Sequence, residues 1–156
     1  MRNRIAGCAL IVVIAAGCGG ARFAAPGPQD RGREVVLVLM DGDSSFKLAV
    51  AEQVAAALKP DGLRVVMDDV GRAENHASSE YAAVVYTAEY WMWRTPRHAI
   101  RYFNRHDKPA NVIFLITAGD PNRKVTKPFD AVTSASTQSR IEPVSDEIVR
   151  RVRAMR

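Results

Sequence analysis

The sequence predicts an α/β protein, a doubly wound five-stranded parallel sheet with abbreviated crossovers. Three observations carry that expectation. Five short runs rich in Val, Ile, Leu, Phe and Tyr are bounded by turn residues, as strands buried on both faces are. Helical spacing or a helix-opening proline follows the first, third and fifth runs, which gives the strand and helix alternation of parallel sheets. The third run then stops in a cluster of rings, Tyr90, Trp91 and Trp93, where open sheets bind flat ligands, beyond the carboxyl ends of their strands.

The first strand covers residues 34–40, and Asp41-Gly42-Asp43-Ser44-Ser45 is its turn. Ser44 or Ser45 can cap the next helix, because a hydroxyl oxygen accepts from an amide that has no partner within the helix. Leu48, Ala51, Val54, Ala55 and Leu58 recur at helical spacing, and Lys59-Pro60-Asp61-Gly62 ends that helix. Residues 63–67 form the second strand, closed by Asp68-Asp69, so these elements make one right-handed βαβ unit. The polar stretch 71–80 has room for one short helix at most. Residues 82–86 are the third strand. A helix over 96–106 turns Ala99, Ile100 and Phe103 inward. The fourth strand is 111–117, with Ala118-Gly119-Asp120-Pro121 as its loop, and 129–133 is a short fifth. Pro143 opens the last helix, whose early acids and late arginines complement the helix dipole.

The 156 residues, 47% hydrophobic and 25% charged, suit one domain. Both cysteines, Cys8 and Cys18, fall at the start, so the folded part offers no thiol for a disulfide, a zinc site or a nucleophile. Arg2 and Arg4 precede an apolar run over 5–16 that ends in Gly17 and Cys18. Charged start, short apolar core and small-residue exit are the parts of an export signal, and the run is shorter than the ~20 residues of a membrane span. Ala15-Ala16-Gly17-Cys18 resembles the lipobox of bacterial lipoproteins, in which the cysteine is acylated and becomes the first mature residue. The expected organisation is a signal peptide over 1–17, a flexible Gly- and Pro-rich tether over 18–33 and a domain over 34–156. The mature protein would be held in the cell envelope, outside the cytoplasm, by lipid on Cys18. Removing Arg2 and Arg4 lowers the net charge from +5 to +3, too mild for a nucleic-acid partner.

Over residues 86–96 and 111–120 the chain resembles the flavodoxin family. That family follows one strand with a small residue, a Pro, a branched residue and a Tyr or Trp, and opens the next helix with Pro. Its next strand ends in Thr, a small residue and Gly. Thr87-Ala88-Glu89-Tyr90-Trp91 with Pro96 is similar to the first pattern, with Ala88 in place of Pro, and Thr117-Ala118-Gly119-Asp120 to the second. The resemblance implies noncovalent FMN and electron transfer to a redox partner protein. Thr87, Ala88, Glu89, Tyr90 and Trp91 would form one ring-binding loop, with Tyr90 or Trp91 stacked on the isoalloxazine. Thr117, Ala118, Gly119 and Asp120 would form the other. The family's phosphate loop, Ser/Thr-x-Thr-Gly-x-Thr, aligns with Asp41 to Phe46, where two carboxylates replace hydroxyl donors. Ser44, Ser45 and the amides remain to hold a phosphate, or the ligand is not FMN.

Two other functions fit parts of the sequence. An apolar strand followed by Asp41-x-Asp43 resembles the first motif of haloacid-dehalogenase-like phosphatases, with Asp68-Asp69 as a magnesium-binding pair. That family, however, places its acidic pair on a late strand. The rings could instead serve a cofactor-free protein-interaction module on the same fold. Of His76, His98 and His106 only His98 and His106, two turns apart on one helix face, have ligand spacing, and all three read as surface side chains, so no metal is expected.

Overall fold

A computed structural model describes residues 23–92, 94–120 and 122–156. Cys8, Cys18, Trp93 and Pro121 lie outside the described residues, and with them the expected signal peptide and lipidation site. The strands are β1 (Gly32–Met40), β2 (Arg64–Asp69), β3 (Tyr81–Glu89), β4 (Val112–Thr117) and β5 (Val132–Ser134). The helices are α1 (Ser45–Leu58), α2 (Arg97–Arg105) and α3 (Ile141–Ala154). All strand pairs are parallel, in the order β2-β1-β3-β4-β5, so the connection reverses direction between β1 and β3. In such sheets ligands bind at that switch point.

The two-residue period of β1 divides the core. Val36, Val38 and Met40 face α1 and α3, packing with Val54, Leu58, Ile148 and Val152. Val35, Leu37 and Leu39 face the other way, with Tyr86, Phe114, Tyr102 and Phe129. On this second face the crossovers are short. Only the 3-10 turns Val70–Asn75 and Ser78–Glu80 join β2 to β3.

The larger boundary differences from the sequence reading lie in β3, β5, α3 and β1, and β2 runs on to include Asp68 and Asp69. β3 runs on through Thr87, Ala88 and Glu89, which pair with Leu115, Ile116 and Thr117, because β4 extends alongside them. β5 holds only residues 132–134. Phe129, expected within it, leaves the ladder and stacks on Phe114 at 3.7 Å between centroids. α3 starts two residues before Pro143. β1 starts at Gly32, and the stretch before it is fastened to the body. Arg64 donates to Asp30 Oδ1 at 3.0 Å and to the Gln29 carbonyl at 2.7 Å, Arg72 donates to the Phe23 carbonyl at 2.8 Å, and the Phe23 ring packs on the α1/α3 core.

His76 is a correction to the surface reading, being only 3% exposed. Asp68, near the end of β2, lies on the face where only 3-10 turns join β2 to β3, and a buried carboxylate needs partners. His76 Nε2 supplies one at 2.6 Å, and Arg72 bonds the same carboxylate. Nδ1 of His76 meets the buried Tyr81 hydroxyl at 2.7 Å.

Candidate functional site

The carboxyl ends of β1, β3 and β4 bring the expected loops to one edge. Asp41 leaves β1, and its amide donates to Thr87 Oγ1 at 2.8 Å, which pins the turn to β3. Gly42 then takes a left-handed φ of 70°, a conformation that a side chain would strain. Ser44 caps α1, its Oγ accepting from the Lys47 amide at 3.3 Å, while Ser45 is exposed as the first helical residue. The Lys47 side chain folds inward beneath the turn. Its Nζ donates to the Asp41 carbonyl at 2.9 Å. Burial pushes the Lys47 ammonium down from its usual range, and the charges of Asp41 and Glu89 oppose that push.

His98, near the start of α2, completes this side of the edge. Its Nδ1 lies 2.9 Å from the Tyr86 hydroxyl and its Nε2 3.8 Å from Asp41 Oδ2. Burial lowers the His98 pKa; Asp41 opposes this, while the cations Lys47 and Arg101 reinforce it. Tyr86 is pushed up, chiefly by burial and then by Asp41, so the phenol keeps its proton and donates to Nδ1. The Nε2–H of His98 then faces the Asp41 carboxylate.

On the opposite side, the Tyr90 amide donates to the Thr117 carbonyl at 2.7 Å and ties the two expected ring-binding loops together. Trp91, with 70% of its surface open, and Met92 stand out from a tight turn that Arg94 closes by donating to the Trp91 carbonyl. Tyr90 is half-buried, and the Arg123 guanidinium lies 5.3 Å from its ring centroid, so one face is already covered. A side chain at Gly119 would meet nothing within 4 Å, which leaves open space beside that backbone. Asp120 accepts from the Asn122 amide. Beside this rim, Arg94, Thr95, Arg97, Ile100, Lys127 and Pro128 line an open depression of about 680 Å³.

The expected residues therefore separate into two groups. Thr87, Ala88, Thr117 and Ala118 are buried in or at the end of the sheet, where the Thr87 hydroxyl and the Thr117 carbonyl hold the loops. Ser44, Ser45, Glu89, Tyr90, Trp91, Gly119 and Asp120 remain at the surface. Lys47 and His98 were not expected. Lys47 falls among the apolar positions of α1, where only its place three residues after a capping serine marks it. His98 is tied to Tyr86, twelve residues earlier, by sheet geometry.

Among the described residues no cluster of three His, Cys, Asp or Glu side chains could hold a metal. The phosphatase-like reading also loses its acidic pair: Asp68 is bound to Arg72 and His76, and Asp69 Oδ1 accepts the Gly71 amide at 2.6 Å. FMN fits this edge in part. The rim offers an exposed indole and open backbone to a flat ring, but the turn where its phosphate would lie presents Asp41 and Asp43 and has its lysine folded away.

The fold is that of flavodoxin-like α/β proteins, a five-stranded all-parallel sheet flanked by helices. It is similar to the flavodiiron protein from Giardia intestinalis, with a TM-score of 0.54 and 16% identity over 81% of this chain and 38% of that one. It is also similar to rubredoxin oxygen:oxidoreductase from the anaerobe Desulfovibrio gigas, with a TM-score of 0.52 and 12% identity over the same shares. The chain thus spans well under half the length of either. No family model and no curated protein matches the sequence.

Proposed function

We propose that this is a lipid-anchored, extracytoplasmic flavodoxin-like domain that holds a flavin ring noncovalently at the carboxyl edge of its sheet and serves electron transfer. The observation that carries the reading is Trp91, an indole 70% exposed just past β3 and beside the loop that leaves β4. A flat ligand gains dispersion by stacking on such an open ring. The oxidoreductase among the similar folds supports the same class. Titrating the mature chain with riboflavin should give saturable quenching of flavin fluorescence, and Trp91→Ala should weaken it by about 1–3 kcal/mol. No saturable change would overturn the reading.

The anchor rests on the sequence around Cys18. Mass spectrometry of protein from its membrane fraction should find an acylated N-terminal cysteine, which Cys18→Ala should abolish. A mature terminus elsewhere, without acyl chains, would overturn it.

The second reading is the cofactor-free interaction module, favoured by the covered Tyr90 face and the basic depression beside it. It predicts no flavin binding and a protein partner lost on reversing Arg94 and Arg97 to Glu.

A further inference from the structure

Among the described residues, the lysine beside the β1 turn is directed away from where a phosphate would sit. Lys47 is only 3% exposed, and its Nζ donates inward to the Asp41 carbonyl. Two amides of the loop are also engaged within it, that of Asp41 by Thr87 Oγ1 and that of Lys47 by Ser44 Oγ. What faces outward is acidic. The Asp41 side chain is 28% exposed, Asp43 occupies an exposed position on the same turn, and Glu89 is exposed at the end of β3. A phosphomonoester brings a charge of about −1.5 to −2. The N-terminus of α1 offers roughly half a positive charge, which one carboxylate already exceeds. Burial lowers the His98 pKa, so its imidazole adds little positive charge at pH 7, and the exposed cation acting on it, Arg101, belongs to α2 rather than to the turn.

We propose that the site takes its flavin without a phosphate, the riboflavin class rather than FMN, and that Asp41 and Asp43 enforce the choice. The inference rests on the ring-binding reading above. Its discriminating device is repulsion, a common way to reject one of two ligands that share the same body.

The test is parallel titration of the mature chain with riboflavin, FMN and lumiflavin, at low and high salt. Riboflavin should bind at least about tenfold more tightly than FMN at low salt, and the gap should narrow as salt screens the carboxylates. The double variant Asp41→Asn with Asp43→Asn keeps size and backbone, and should tighten FMN relative to riboflavin, with far-UV circular dichroism as the control for folding. FMN binding as tightly as riboflavin, with no response to the double variant, would overturn this inference while ring binding stands. Failure of all three flavins, the bare ring included, would remove the ring-binding reading and this inference with it.

Discussion

His98 and His106 are both held below the ordinary imidazole range, chiefly by burial, and nearby arginines add to the effect. The folded chain therefore binds fewer protons than the unfolded chain just below pH 6.5, so stability falls as the pH drops through that window. Urea midpoints should be lower at pH 5.5 than at pH 7.5. Glu147 does not interfere: its bonds to Arg150 and Arg151 hold its carboxyl at about 2, so its contribution is lost only as pH falls from 4.5 toward that value. His106 also has a buried Nε2 without a partner among the described residues, while its ring packs 4.3 Å from that of Tyr102. His106→Phe keeps the ring, removes the orphan, and should raise stability by about 1 kcal/mol at pH 7.5 while flattening the acid decline. Asp68 represents the opposite case. Asp68→Ala would leave His76 and Arg72 facing a void, and urea unfolding should show a loss of about 3–5 kcal/mol, with Asp68→Asn losing less.

Among the elements, β1, β3 and β4 were legible because an unbroken apolar run has few ways to hide both faces. Their ends were less so. Thr87, Ala88 and Glu89 read as loop, since no residue type within them announces that β4 lies alongside to receive their hydrogen bonds. Phe129 read as strand by its apolar character, whereas its place is set by the faces of Phe114 and Phe103. Phe129→Ala should cost about 3–5 kcal/mol in chemical denaturation, although the residue contributes nothing to the ladder. The candidate site divides the same way. Its backbone frame could be read from two short motifs, but Lys47, His98 and the arginine over Tyr90 depend on pairings between elements, which periodicity does not encode.

Across the whole molecule, protection should follow strand position. Hydrogen exchange should be slowest in β1, β3 and β4, the three strands with a partner on each side, and faster in β2 and β5 at the edges. The fastening of residues 23–31 fixes something larger than stability. Phe23 is held by Arg72, which lies just past β2 at its carboxyl end, the same end at which the site opens. From Cys18 to Phe23 the chain can extend no more than about 18 Å. If Cys18 is acylated, the lipid would be a short leash attached at the same end of the sheet as the rim.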